Sequence, residues 1–127
     1  MDAVVIRPDP NREVHTPERC YILEMSNSPT DEALSIARAR VEPGVTTALH
    51  RIKRTAERYV ILQGSGRVEV GSRSPEPVEP GDVVLIPPGT DQRITNTGKG
   101  DLIFLALCTP RFEPRNYEDT QTKNQMK

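Results

Sequence analysis

GVTTALHRIKRTAERYVILQG, residues 44–64, and GDVVLIPPGTDQRITN, residues 81–96, share one layout: a glycine breaks the chain, a strand follows, and polar side chains recur at even spacing among β-formers. His50, Ile52 and the pair Glu57 and Tyr59 keep the two-residue period that sends side chains to one face of a strand. Gln92, Ile94 and Asn96 repeat it some forty residues later. Strands of this kind facing each other across a small barrel would bring His50, Glu57 and Gln92 together in its interior.

The spacing resembles the two sequence motifs of the cupins. The first has the form G-x5-H-x-H-x4-E-x6-G, and Gly44, His50, Glu57 and Gly64 fall on it without a gap. The second has the form G-x5-P-x-G-x2-H-x3-N, and Gly81, Pro87, Gly89 and Asn96 fall on it likewise. Ile52 stands where the second histidine is expected and Gln92 where the third is expected. The resemblance implies an all-β double-stranded β-helix, a jelly-roll-like barrel of two sheets. The ending LCTPRF with Tyr117-Glu-Asp119 is similar to the close of small single-domain cupins often labelled mannose-6-phosphate-isomerase-like, a label of fold kinship.

Size and composition set the outer bounds. A chain of 127 residues suits one domain with a real core. Seventeen Lys and Arg against eighteen Asp and Glu leave no bulk pull toward nucleic acid or membrane. No apolar run reaches the length of a bilayer span and the N-terminus lacks a signal-peptide layout, so a soluble cytoplasmic protein is expected. Cys20 and Cys108 are too few and too far apart for a disulfide framework or zinc motif, and read as reduced and partly buried. Twelve prolines and eight glycines fit many short strands joined by turns.

Outward from the central stretch, residues 1–18 read as a polar, proline-rich arm in which only Val4 to Ile6 has strand character, 19–117 as the barrel, and 118–127 as a flexible tail with almost nothing to bury. Residues 19–25 make a first strand whose Tyr21 to Met25 edge is available to another copy. A homodimer is therefore expected, as small cupins usually dimerise through sheet extension. In the second strand, Leu34 to Val41, the small apolar row should be the buried one and Arg38 and Arg40 should face out. Arg93, opposite in phase to Gln92, should also point away from the interior.

Two chemistries suit the converging side chains. Cupins commonly hold a transition metal through three histidines and a glutamate, so the resemblance implies ligand roles for His50 and Glu57, with Gln92 offering a weaker amide oxygen and Ile52 nothing. A divalent metal such as Mn, Fe, Ni or Zn would then be weakly bound or absent. Without metal, His50, Glu57 and Tyr59 become candidate acid–base groups, by analogy with cupin relatives that epimerise nucleotide sugars using a histidine base and a tyrosine acid. Tyr59 also reads as a core aromatic whose hydroxyl finds a partner. Arg51, Lys53, Arg54 and Arg58 either draw in an anion or form a solvated connection. The expected function is an isomerase or lyase acting on a small polar or sugar-like molecule in a polar cavity; the alternative is a non-catalytic small-molecule-binding or sensing protein without metal.

Overall fold

Among the described residues, short β-forming runs punctuated by proline and glycine become eleven strands in two antiparallel sheets. The computed structural model describes residues 1–121. The strands are β1 (Val14–His15), β2 (Tyr21–Ser26), β3 (Ser35–Val41), β4 (His50–Ile52), β5 (Ala56–Gln63), β6 (Gly66–Val70), β7 (Glu76–Val78), β8 (Val83–Ile86), β9 (Gln92–Asn96), β10 (Leu102–Thr109) and β11 (Tyr117–Asp119). One sheet runs β1-β2-β3-β10-β5-β8 and the other β11-β4-β9-β6-β7. This is the all-β double-stranded β-helix expected from the motif spacing. Among the described residues, no helix is long and apolar enough to cross a membrane.

Alternation decides which rows face inward. Along β5, Glu57, Tyr59 and Ile61 are buried while Arg58 and Val60 are only half-buried. On β3 the Ser35, Ala39 and Val41 row turns in, and Arg38 and Arg40 turn out to pair with Glu13, at 3.4 and 2.6 Å. The outward placement of both arginines is thus as the pattern indicates. Arg93 also faces out and pairs with Glu69 at 2.8 Å.

Ile61, Leu102 and Val41 are fully buried at one end of the barrel, and Ile94 and Phe104 carry the core from there to the cavity. Burial of each such side chain contributes about 1.5–3 kcal/mol. Across the register of β10 with β3 and β5, Leu102 lies opposite Val41 at that end and Cys108 lies between Ser35 and Glu57 at the other. The second end is where a cavity remains.

Two motif residues prove architectural. Gly64 has φ +87°, and a Cβ there would sit 2.6 Å from the Asp101 carbonyl oxygen, so only glycine fits where β5 turns toward β6. Asn96, 1% exposed, donates to the carbonyls of Val41 and Gly100, both at 2.8 Å, and accepts from the Gly98 N–H at 2.9 Å. It ties the start of the His50 segment to the β9–β10 turn.

Three expected boundaries change. Val4 to Ile6 forms no strand and is exposed, while the segment read as an arm up to residue 18 contains β1, which pairs with Tyr21 and Ile22 and covers that part of the β2 edge. The tail expected from residue 118 begins inside β11, whose Tyr117, Glu118 and Asp119 pair with Ile52, Arg51 and His50. Residues 119–121 remain tied down, since Thr120 and Gln121 both donate backbone N–H groups to the Leu49 carbonyl. The rest of that tail, 122–127, lies outside the described residues.

Candidate functional site

The two sheets present the candidate residues from opposite sides. His50 and Gln92 are register partners on β4 and β9 in the five-stranded sheet, whereas Glu57 and Tyr59 lie on β5 in the six-stranded sheet. Between them is a cavity of about 110 Å³. Its lining is largely apolar, with Ile22, Ala37, Ile52, Phe104 and Phe112 among its walls. His50, Glu57 and Tyr59 line it, but Gln92 does not.

His50 is 4% exposed and its Nδ1 lies 2.8 Å from the Ala48 carbonyl oxygen. A carbonyl can only accept, so Nδ1 carries the ring proton and Nε2 keeps its lone pair when the imidazole is neutral. The Tyr117 ring stacks on the imidazole with centroids 5.2 Å apart. Nε2 lies 3.8 Å from an oxygen of Glu18, too long for a hydrogen bond and within ion-pair range if the imidazole is protonated.

Glu57 is 7% exposed. Its Oε2 accepts from the Cys108 thiol at 3.6 Å, and its Oε1 has no hydrogen-bond partner among the described residues. Burial raises its pKa to about 7, with His50 pulling it down and Glu18 pushing it further up. The carboxyl therefore keeps its proton to a higher pH than an exposed glutamate does. Burial likewise raises the Glu18 carboxyl, with His50 opposing. Burial also raises the Cys20 thiol to about 12 and pushes the Cys108 thiol higher, which argues against a thiolate nucleophile.

Tyr59 donates its hydroxyl to Gln92 Oε1, and burial raises its pKa well above the usual phenol value. The carboxamide oxygen expected to serve a metal is thus engaged by the phenol. Ile52 lines the cavity without a donor atom, and among the described residues no three His, Cys, Asp or Glu side chains come together as a metal-holding group. The donor set around His50 does not fit a transition metal.

The basic cluster takes the structural role. Arg51 and Lys53 pair with Glu118 at 3.1 and 3.5 Å, Arg54 donates to Asn116, and Arg58 donates to Thr109. None of them lines the cavity.

Glu18 and Tyr117 are the site residues that sequence reasoning missed. Glu18 comes from the turn before β2, where Arg19 adopts φ +69° and holds the backbone with Nε donating to the Thr46 carbonyl at 2.9 Å. The Glu18 carbonyl in turn accepts from the Ala48 N–H at 3.1 Å. Nothing in the polar stretch TPERC marks its glutamate as inward-facing. Tyr117 belongs to a short strand beyond the conspicuous β10, and only a tyrosine among polar residues hinted at it.

Known proteins place this geometry in a wider frame. A family model described as a Cupin domain matches residues 37–108. An uncharacterized protein of Methanocaldococcus jannaschii is 37% identical over 87 residues, 68% of this chain and 66% of that protein. An oxalate-binding protein of Thermotoga maritima is 35% identical over 77 residues, 61% of this chain and 63% of that protein. The aligned stretch therefore spans less than two thirds of either relative's length. Among solved structures, a predicted oxalate decarboxylase from Thermotoga maritima superposes with a TM-score of 0.69 at 28% identity, covering 84% of this chain and 99% of that one. With the matched region running from the middle of β3 to Cys108 and enclosing both motifs, the barrel and its cavity are those of the cupin family, to which this chain belongs.

Proposed function

We propose that the cavity is a metal-free acid–base site that isomerises or eliminates water from a small molecule. One observation carries this reading: a histidine with a fixed tautomer and a deeply buried glutamate line the same cavity, and one glutamate oxygen is unpartnered. His50 Nε2 takes a proton from carbon adjacent to a carbonyl, and Glu57 delivers a proton to the carbonyl oxygen or to a departing hydroxyl. After elimination, imidazolium and carboxylate remain and a proton passing from His50 to Glu57 resets the site; in isomerisation the imidazolium returns its proton to the neighbouring carbon while the Glu57 carboxylate takes the proton of the enediol's other hydroxyl, which resets both groups. Tyr59, committed to Gln92, sets the wall beside Glu57 and is not the acid.

The test uses untagged protein stripped with a chelator and incubated in D2O with a panel of small enolisable aldehydes, ketones and β-hydroxy carbonyl compounds, followed by proton NMR. Solvent exchange, isomerisation or elimination that needs His50 and Glu57 supports the reading. Turnover that vanishes on stripping and returns with Mn, Fe, Ni or Zn would restore the metal role of His50, Glu57 and Gln92. Binding without exchange would identify a sensing or carrier protein.

A homodimer belongs to the same proposal. Leu62, Val83 and Leu85 are 48%, 56% and 70% exposed on the outer face of the six-stranded sheet. The register continues that face through Val60 and Leu105, where a wet antiparallel face ordinarily carries polar side chains. Two copies packing these faces together would cover an area that one copy leaves bare. Sedimentation should show a concentration-dependent dimer that Leu85→Lys dissociates; a wild-type monomer throughout the concentration range refutes it.

A further inference from the structure

The cavity around His50 is acidic. Glu57 lies deep in it with one oxygen unpartnered, Glu18 stands nearer the solvent with its side chain 26% exposed, and Glu24 also contributes to the lining. Among the described residues, no lysine or arginine lines the cavity. The nearby guanidinium of Arg111 is held outside by Glu32, at 3.4 Å, and by the Asn27 amide oxygen, at 3.1 Å. The rest of the wall is mostly aliphatic or aromatic, with the neutral polar side chains of Asn27, Ser35 and Thr47 and two thiols among it.

An anion entering this space meets carboxyl groups and a single imidazole. A doubly charged one would have to displace water with no fixed cation to replace it. A cation meets the reverse situation. An ammonium group has three donors and no acceptor, which suits the buried, unpartnered Glu57 oxygen and the Glu18 carboxyl group. The rings of Tyr117 and Phe112 line the same space, and aromatic rings favour a nearby cation over an anion. The volume corresponds to on the order of seven water-sized positions at roughly 15 Å³ each, so the body carrying the charge must be compact.

We propose that this cavity selects a small monocation, a protonated amine on a compact apolar body, and discriminates against carboxylates and phosphates. The inference rests on the cavity being the ligand site proposed above and names the class of molecule it takes. An amine that arrives neutral takes the proton from the Glu57 carboxyl, an O–H to N–H transfer that leaves ammonium and carboxylate paired. An amine that arrives charged instead displaces that proton to solvent. The preference runs opposite to the anionic ligand named for the oxalate-binding relative.

The experiment titrates chelator-stripped full-length protein with isobutylammonium, isobutanol, isobutyrate and oxalate, using calorimetry for affinity and the His50 ring resonances for location. Isobutylammonium should bind about tenfold or more tighter than isobutanol, because a charge-assisted hydrogen bond exceeds a neutral one by roughly that factor. Isobutyrate and oxalate should bind more weakly than isobutanol. Glu18→Gln and Glu57→Gln should each reduce the ratio of amine to alcohol affinity. The proposal is overturned if either anion binds as well as isobutylammonium, or if that ratio survives both substitutions. Should the anions bind best while shifting the His50 resonances, the charge preference falls and the site assignment stands. If ligands of every charge bind without shifting them, or none binds, the site assignment falls as well.

Discussion

Glu57→Gln should make the protein more stable, and only on the alkaline side. The carboxyl titrates near 4.5 when exposed in the unfolded chain and at about 7 in the folded barrel, where burial disfavours the charge. Below pH 4.5 both states hold the proton and the group contributes no pH dependence. Between 4.5 and 7 the unfolded chain releases it while the folded one keeps it, so the unfolded state binds fewer protons and stability falls as pH rises. Above 7 the loss is complete. With 1.36 kcal/mol per unit, the 2.5-unit difference amounts to about 3 kcal/mol. Glutamine has nearly the same shape and cannot ionise, so the variant escapes this loss. Urea unfolding of both proteins at half-unit steps from pH 4.5 to 8.5 follows the group, because titrations not coupled to Glu57 cancel in the difference and those of His50 and Glu18 enter only through their interaction with it. The stability gap should grow with pH by up to about 1.4 kcal/mol per unit and level off near pH 8. A gap that stays flat refutes the burial argument, and one that shrinks reverses its sign.

Asn96→Ala should destabilise by about 2–4 kcal/mol in the same unfolding assay, since it strands the buried Val41 carbonyl and removes the bonds to Gly98 and Gly100. Gly64→Ala should cost about 2 kcal/mol or more, because φ +87° is strained for alanine and its Cβ meets the Asp101 carbonyl; an unchanged Tm would show that the β5–β6 turn relaxes freely. Ile52→His with Gln92→His should create a site at which added zinc raises Tm, whereas zinc leaves the wild type unmoved; equal shifts in both would show that the native donor set suffices.

The fold was legible because its determinants are local. Fixed offsets from Gly44 to Gly64 and from Gly81 to Asn96 encode turns and inward phases; phase opposite to Gln92 put Arg93 outside, whereas Arg38 and Arg40 needed the further premise that the small apolar row of their strand is the buried one. His50, Glu57 and Tyr59 lie on those phased strands and were found with them. Gln92 shows where phase stops being informative: it is buried and points inward, but its contact with Tyr59 keeps it out of the cavity lining. Glu18 shows the other limit. Its inward aim depends on a left-handed Arg19 and on bonds to Thr46 and Ala48, partners about thirty residues away that no periodicity links to it. The same holds for β11, a three-residue strand whose pairing with β4 could be seen only once the barrel had closed.

Gln121 accepts from the Arg19 guanidinium at 2.9 Å and from the Leu49 N–H at 3.2 Å, so it clasps the Glu18 turn to the segment leading into His50. Synthesis from the ribosome gives that clasp a temporal meaning. The strands from β3 to β10 can assemble while the imidazole still lacks its stacked tyrosine and the latch beside its acidic neighbour is unmade. The pocket becomes whole only once residues 117–121, which follow β10, have emerged, so a segment outside the two motifs completes its assembly.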